Sequence, residues 1–190
     1  MKIGLFFGSF NPVHTGHMII ANHMAYYTDL QQVWIVVSPQ NPLKPANSLA
    51  NDYDRLHMVQ LAIGDNARLR SSNIEFSLPK PSYTIDTLTY LKEKHDEHEF
   101  VLIMGGDNLA TLNKWKNYEK ILELYQIYLY KRPRFDVGAL LGHPHVVNFE
   151  MPLLDISSTY IRDSIRQGHN IQYLVPEPVY EYLRGSSMYK

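Results

Sequence analysis

Residues 8–17 read Gly-Ser-Phe-Asn-Pro-Val-His-Thr-Gly-His, and they separate a short apolar run from a segment of helical period. The run before them, Ile3 to Phe7, is of the kind found in strands that are buried on both faces. The segment after them, His17 to Tyr27, repeats apolar residues at the spacing of one helix face. A strand, a turn of small residues and a helix in this order predict one unit of an α/β sheet.

The same alternation continues along the chain. Further strands are predicted at Val33 to Ser38, Phe100 to Met104 and Ile127 to Tyr130, and further helices at Asp52 to Ile63, Ile85 to Lys94 and Tyr118 to Leu124. Strand followed by helix, repeated, predicts a parallel sheet with helices on both faces, whose ligands bind beyond the carboxyl ends of the strands.

The pattern becomes helical after about residue 150. Thr159 to Gln167 and Glu177 to Arg184 are predicted helices, and Gly168 and Gly185 follow them in the position of C-terminal caps. No Pro-rich or Ser-rich linker divides the chain. We therefore expect a single domain over residues 1–190, with a small helical C-terminal part over about 150–190.

The amino-acid composition excludes several classes of protein. The 190 residues include no Cys, which excludes disulfide frameworks, thiolate metal sites and cysteine nucleophiles. A net charge of -1 gives no overall attraction to nucleic acid or to an anionic membrane. The N-terminal apolar run is too short for a membrane span and lacks a signal-peptide pattern. We expect a cytoplasmic protein that binds neither nucleic acid nor membrane.

The turn at residues 8–17 has the character of an anion site. Small residues let a ligand approach the main chain, and a helix that begins near Thr15 offers its free N–H groups to an anion. His14 and His17 are three residues apart, so they face the same side if both lie in the first turn. The competing interpretation is a glycine turn with two solvated histidines.

A second helix start carries a run of hydroxyl groups, in Ile156-Ser157-Ser158-Thr159-Tyr160-Ile161-Arg162. Such a start can be an ordinary capped helix with an exposed arginine. Hydroxyl groups, free N–H groups and the planar donor pair of Arg162 can also bind a phosphate chain. Two helix starts of this kind could hold one triphosphate.

These two motifs resemble a known family. The decapeptide at 8–17 looks like the G-x-F-x-P-x-H-x-G-H signature of the nucleotidyltransferase superfamily, and residues 156–162 look like its I-S-S-T-x-I-R element. The chain is more specifically similar to bacterial nicotinate-mononucleotide adenylyltransferases, through SPQNPLKP, SYTIDTL, GGDNLATLNKW and YLVPEPVYEYL. The resemblance implies a Rossmann-like doubly wound fold.

The resemblance also implies the site residues. The expected ATP site consists of Gly8, Ser9, Phe10, His14, His17, Gly105, Asp107, Ile156, Ser158, Thr159 and Arg162, with His14, His17 and Arg162 as the catalytic residues. The expected mononucleotide site consists of Lys44, Tyr83, Thr84 and Trp115. The family pattern usually has a His at Leu43, so phosphate binding by that loop is left to Lys44.

Several of these residues have an alternative interpretation. Trp115 is either a packed aromatic or, by resemblance, a stacking surface for the pyridine ring. Asp107 is either a helix N-cap or a ligand of a ribose hydroxyl. Tyr83 and Thr84 either form a turn before the third helix or, by resemblance, Thr84 lies beside the nicotinate carboxylate. Arg55 is expected to be a charge on a helix surface.

The resemblance implies adenylyl transfer from ATP to nicotinate mononucleotide by direct in-line attack, giving deamido-NAD and pyrophosphate. Mg²⁺ is expected to arrive with ATP, because the sequence contains no obvious carboxylate cage and Mg²⁺ commonly relies on substrate oxygens. The alternatives are a related adenylyltransferase for pantetheine phosphate, flavin mononucleotide or nicotinamide mononucleotide, and a nucleotide-binding regulatory module without turnover. Homo-oligomerisation is left open.

Overall fold

A computed structural model describes residues 1–40, 49–130 and 138–190. The strands are β1 (Lys2–Gly8), β2 (Gln32–Val37), β3 (Leu69–Ser72), β4 (Glu99–Gly105), β5 (Gln126–Tyr130) and β6 (Val146–Phe149). All neighbouring pairs are parallel, and the order across the sheet is β3, β2, β1, β4, β5, β6. This is the doubly wound order of dinucleotide-binding domains, so the predicted fold class is confirmed.

The α-helices connect these strands and complete the C-terminal part. They are α1 (Thr15–Tyr27), α2 (Asp52–Ile63), α3 (Thr84–Lys94), α4 (Gly106–Leu109), α5 (Tyr118–Leu124), α6 (Ser158–Arg166) and α7 (Glu177–Arg184). Gly168 follows α6 with a φ of +73°, a left-handed conformation that favours glycine, and Gly185 caps α7. Among the described residues, no helix is long and apolar enough to cross a membrane.

Apolar side chains cover both faces of the sheet, because alternate residues of a strand point to opposite faces. Phe6 of β1 belongs to a buried cluster that includes residues of α1, α2, α6 and α7. Leu5, the preceding residue, belongs to a second cluster that includes residues of α3, α4 and α5. The buried residues of the helical C-terminal part thus pack into the same core as the central strands.

The sequence-based prediction missed the two outer strands, β3 and β6. The β3 segment reads Leu-Arg-Ser-Ser and contains one buried residue, Leu69. The β6 segment contains one buried residue, Val146. Both strands lie at an edge of the sheet, where pairing on one side and partial burial leave little apolar signal. The prediction that the chain becomes helical only after about residue 150 is consistent with β6 ending at Phe149.

The strand order fixes where a ligand can bind. The chain proceeds outward from β1 toward β3 and, after returning to β4, outward toward β6. The connections that leave β1 and β4 therefore diverge and open a crevice between the carboxyl ends of these two strands. Gly8 and Gly105 are the last residues of β1 and β4, so small residues lie on both sides of this crevice.

Candidate functional site

The first helix begins with a reciprocal cap between two histidines. His14 is the N-cap of α1, and its Nδ1 accepts a hydrogen bond from the His17 N–H at 3.3 Å, while His17 Nδ1 accepts from the His14 N–H at 3.2 Å. The rings stack with their centroids 3.6 Å apart. Because each Nδ1 accepts, the proton of each neutral imidazole is assigned to Nε2. The pair can therefore act as two neighbouring N–H donors.

The turn before this helix is held by the core. Phe10 has a φ of 45° and is 1% exposed, and its ring packs edge-on against Phe6 and His17. A Cβ on Gly8 would come within 2.8 Å of that ring, so glycine is needed there for close packing. Any contact between Phe10 and a nucleotide is consequently made by its main chain.

The second predicted phosphate element lies directly against this turn. Ser157 caps α6 by accepting from the Tyr160 N–H at 3.1 Å. Ser158 Oγ donates to the carbonyl oxygen of Pro12 at 2.9 Å, and Arg162 Nη1 donates to that of Asn11 at 2.8 Å. The N-termini of α1 and α6 are thereby joined, although their sequences are more than a hundred residues apart.

The docking of α6 uses only part of the hydrogen-bonding capacity of Arg162. Arg162 Nη2 donates to Thr159 Oγ1 at 3.2 Å, and the buried Arg162 Nε has no hydrogen-bond partner in the part of the chain that the structure describes. Ile156, just before the helix, is half-buried and packs against the sheet core. Arg162 therefore uses some of its N–H groups to bind other residues of the protein, and others can still donate to a ligand.

Asp107 lies on the other side of the crevice. A Cβ on Gly105 would come within 2.5 Å of Asp107 Oδ1, so the aspartate occupies space that only glycine leaves open. The N-cap interpretation of Asp107 is wrong, because the N-cap of α4 is Gly105 and no side chain caps that helix. Asp107 Oδ1 is buried and has no hydrogen-bond partner among the described residues, so it can accept a hydrogen bond from a ligand.

A pocket next to the crevice contains the described residues of the predicted mononucleotide site. Its lining consists of Phe7, Gly8, Ser9, Ser38, Gln40, Glu75, Ser82, Tyr83, Thr84, Asn108, Lys114, Trp115, Lys116 and Ile121. Trp115 Nε1 is buried, and none of the described residues is its hydrogen-bond partner. The Lys116 ammonium lies over the Tyr83 ring, 4.9 Å from its centroid, and pairs with Asp86 at 2.8 Å. Leu43 and Lys44 lie outside the described residues.

Sequence reasoning missed a buried carboxylate in this pocket. Glu75 is 2% exposed and accepts hydrogen bonds from Ser82 Oγ at 3.0 Å and from Thr87 Oγ1 at 2.8 Å. These two residues lie on either side of the start of α3, so Glu75 fixes the turn that presents Tyr83 and Thr84. The available signal was the SYTIDTL motif, in which Ser82 and Thr87 have hydroxyl groups at the two ends of that turn.

The expectation for Arg55 is wrong. Its side chain is completely buried, and it donates to main-chain carbonyl oxygens that include those of Ser9 and Ser38. Helical periodicity places Arg55 beside the apolar stripe of α2 but does not reveal that three chain segments surround it there.

Tyr189 also supports the turn at residues 8–17, which we call the histidine turn. Tyr189 Oη donates to Asn11 Oδ1 at 2.6 Å, and the same oxygen accepts from the Ala50 N–H at 3.0 Å. Burial raises the pKa of Tyr189 well above its usual range, so the hydroxyl stays protonated and keeps donating.

The chain matches known proteins along its whole length. The family described as cytidylyltransferase-like matches residues 5–164. A probable nicotinate-nucleotide adenylyltransferase of Flavobacterium johnsoniae is 53% identical over 100% of both chains. One of Bacillus licheniformis is 34% identical over 100% of this chain and 98% of its own.

A solved structure shares the fold. It is the Plasmodium falciparum nicotinic acid mononucleotide adenylyltransferase complexed with NaAD, with a TM-score of 0.85, 20% identity, and coverage of 99% of this chain and 97% of its own. At that identity the likeness supports the fold alone. The family match and the two bacterial relatives confirm the resemblance found in the sequence. The chain belongs to the cytidylyltransferase-like family and, within it, to the nicotinate-nucleotide adenylyltransferases.

Proposed function

We propose that this protein transfers the adenylyl group of ATP to nicotinate mononucleotide, giving deamido-NAD and pyrophosphate. The observation that carries the proposal is the docking of α6 on the turn before α1, through Ser158 and Arg162. It brings two helix N-termini to one end of the crevice, where an anion is favoured. We also propose that the enzyme works in the cytoplasm, because a chain without Cys suits a reducing compartment.

The reaction needs alignment and charge stabilisation more than a protein nucleophile. A phosphate oxygen of the mononucleotide attacks the α-phosphorus of ATP, and a new P–O bond forms. The bond between the α-phosphorus and the oxygen that bridges to the β-phosphate breaks, and pyrophosphate leaves with that electron pair. The Nε2–H groups of His14 and His17 donate to the oxygens on which charge develops, and such donors contribute most when they are already in position.

The leaving group is assigned to α6. Ser158, Thr159 and Arg162 hold the β- and γ-phosphates, and the planar donor pair of Arg162 neutralises the charge that pyrophosphate acquires. The main chain at Gly8 and Ser9 lines the boundary between this region and the mononucleotide pocket. Asp107 is assigned to a ribose hydroxyl, because its buried Oδ1 has no partner within the described chain.

Mg²⁺ is proposed to enter as a complex with ATP. Within the described ranges, the group of His and carboxylate side chains close enough to hold a metal is His95, Glu97 and His98, which precede β4 at the opposite edge of the sheet. The phosphate region offers imidazole and guanidinium donors instead, so the oxygen ligands of Mg²⁺ would come from the phosphates and water. The ion would supply further charge neutralisation when bound.

The mononucleotide pocket favours an anionic ring substituent. Thr84 and the free N–H groups at the start of α3 are donors, and the helix dipole there attracts negative charge. Trp115 offers a face for the pyridine ring. A carboxylate can accept from all of these donors, whereas the N–H₂ of a carboxamide leaves donors unpaired at about 1–3 kcal/mol each.

The test compares acceptors at saturating ATP and Mg²⁺. We expect kcat/KM for nicotinate mononucleotide to exceed that for nicotinamide mononucleotide by at least roughly 30-fold, for two mismatched donors. Trp115→Ala should raise KM for the mononucleotide with little effect on ATP. Equal efficiencies would refute the carboxylate pocket, faster turnover of pantetheine phosphate or flavin mononucleotide would reassign the substrate, and ATP binding without pyrophosphate release would indicate a regulatory module.

A further inference from the structure

Arg55 is a buried cation that the proposed mechanism does not use. It lies in the first turn of α2 and its side chain is 0% exposed. A guanidinium has five N–H donors, and here each of them has an acceptor. The acceptors are the carbonyl oxygens of Ser9 at 2.5 Å, Ser38 at 2.8 Å, Ala50 at 3.1 Å and Pro39 at 3.2 Å, and the carboxylate of Asp52 at 2.6 Å.

These acceptors belong to three separate segments. Ser9 follows β1 and belongs to the histidine turn, Ser38 and Pro39 follow β2, and Ala50 precedes α2. Four of the five are neutral carbonyl groups, so the arrangement is more than an ion pair. Because burying a charge is unfavourable unless it is fully bonded, the guanidinium holds the segments at fixed separations.

A second connection reinforces the first. Asn11 Oδ1 accepts from the Ala50 N–H at 3.0 Å, while Arg55 Nε donates to the Ala50 carbonyl oxygen. The Ala50 N–H is thus bonded directly to the turn that carries His14 and His17, and the Ala50 carbonyl oxygen is connected to that turn through Arg55 and Ser9. The segment before α2 is therefore linked to the turn in two ways.

Two of the bonded residues also line the mononucleotide pocket. Ser9 and Ser38 lie on its wall, and their carbonyl oxygens bind Arg55 behind that wall. The same guanidinium therefore supports a wall of the mononucleotide pocket and the turn assigned to the ATP phosphates. These are the two parts that must be aligned for in-line attack.

We infer that Arg55 is a positioning residue that sets the alignment of the two substrates by tying the segments after β1 and β2 and before α2 to one buried guanidinium. This inference rests on the proposed function for its kinetic readout. Arg55 is completely buried and does not line the pocket, so its loss lowers kcat more than it raises either KM. A misplacement of about 1 Å in such a site costs about 10²-fold in rate.

The central experiment compares Arg55→Lys with the wild-type enzyme at a temperature where both are folded. Lysine keeps the charge but has three donors on one atom, which cannot satisfy the five acceptors that Arg55 binds. We expect kcat to fall about 10²-fold while KM for ATP and for nicotinate mononucleotide changes far less. Amide hydrogen exchange should become faster in all three segments together.

Two controls separate positioning from stability. Leu30→Ala truncates a buried residue at the opposite edge of the sheet and should lower the melting temperature with little change in kcat. Asp52→Ala removes one partner of Arg55, whereas Lys80→Ala removes only the other partner of Asp52, which Lys80 binds at 3.0 Å. We expect Asp52→Ala to lower kcat and Lys80→Ala to leave it unchanged.

Several results would overturn the inference. They are a folded Arg55→Lys enzyme with kcat near that of the wild type, faster exchange in one segment only, and an equal loss of kcat in Leu30→Ala. If Arg55→Lys does not fold, equal kcat values for Asp52→Ala and Lys80→Ala overturn it instead. A wild-type protein that makes no deamido-NAD defeats the proposed function, and the exchange measurement then still tests whether Arg55 ties the three segments.

Discussion

The parallel strands all begin at one side of the sheet, the amino edge, and all end at the other, the carboxyl edge. The polar groups at these two edges are bonded in opposite ways. At the amino edge, Lys2 pairs with Asp29 at 2.8 Å, donates to Gln126 at 2.9 Å, and Tyr128 donates to the same Asp29 at 2.5 Å. At the carboxyl edge, Asp107 Oδ1, Trp115 Nε1 and Arg162 Nε are buried and have no hydrogen-bond partners within the described ranges. The charged groups at the amino edge are bonded within the fold, whereas the carboxyl edge has donors and acceptors that a ligand can bind.

One atom at the amino edge departs from this contrast. His98 Nδ1 is also buried and has no hydrogen-bond partner among the residues that the structure describes; its ring lies beside those of Trp34 and Phe100. His98 does not line the pocket next to the crevice. An unsatisfied polar atom therefore indicates a binding site when it accompanies a crevice and other donors, as at the carboxyl edge.

The largest effect that tests this contrast is expected for His17→Ala. Removing one donor to charge that develops in the transition state costs about 10²–10³ in rate. His14 still caps α1, so the melting temperature should change little. Turnover and thermal unfolding are measured together, with His23→Ala as the matched control, since His23 lies on the same helix and stacks on Tyr27.

His14→Ala should lower turnover similarly and also remove the cap, at about 1 kcal/mol of stability. The double variant should lose less than the sum of the two effects if both rings address one phosphate. Near-normal turnover in a folded His17→Ala enzyme would mean that the histidine pair only shapes the turn.

A smaller effect is expected for Arg162→Ala, measured as ATP affinity by calorimetry. Hydrogen bonds to a charged group contribute about 1.5–3 kcal/mol, which predicts a loss of roughly 10- to 150-fold. Arg162→Lys should lose less, because it keeps the charge without the planar donor pair. Arg166→Ala, one turn later on α6 and half-exposed in an ion pair with Asp163, is the control and should bind ATP normally. Unchanged ATP affinity in both Arg162 variants would leave this residue a purely structural role.

The smallest effect is expected at the amino edge, where Asp29→Asn should leave kcat/KM unchanged. Burial raises the pKa of Asp29, but hydrogen bonds from Lys2 and Tyr128 outweigh it and leave the pKa below its usual value. The ionised carboxylate therefore stabilises the fold above the unfolded-state pKa of about 3.9, and this contribution disappears as the pH falls through the folded-state pKa.

Because Asp29 is largely exposed, its contribution at neutral pH is at most about 1 kcal/mol. Urea unfolding of Asp29→Asn and wild type at several pH values measures it, and the difference between them should shrink in acid. A difference that grows toward low pH would contradict the assignment of the ion pair.

Sequence patterns predicted the centre of this molecule better than its periphery. The four inner strands are apolar on both faces, and this pattern can be recognised in the sequence without knowing which strands lie beside them. The outer strands carry one buried residue each, Leu69 and Val146, so their burial depends on pairing that no local window contains. The fold class and the two phosphate motifs could be predicted from local residue patterns. The two outer strands could be identified only in the assembled sheet.

The candidate site divides in a similar way. His14, Ser158 and Arg162 stand in motifs whose residue types already suggest anion binding. Arg55 and Glu75 act through contacts with segments distant in sequence, and nothing in their immediate neighbours distinguishes them from surface charges. The residues proposed to bind a ligand could be predicted from their chemistry, whereas the residues that hold them in place became visible only through three-dimensional packing.

The bond between Tyr189 and Asn11 joins residues 178 positions apart, and the bonds from α6 to the same turn span 146 and 151 positions. Contacts of such long range form after local helices and strand pairs, since closing a long loop is entropically costly. The histidine turn can acquire all of these neighbours only once the chain has been synthesised through Tyr189. A nascent chain on the ribosome can thus assemble much of the sheet while it still lacks the contacts that complete the phosphate site.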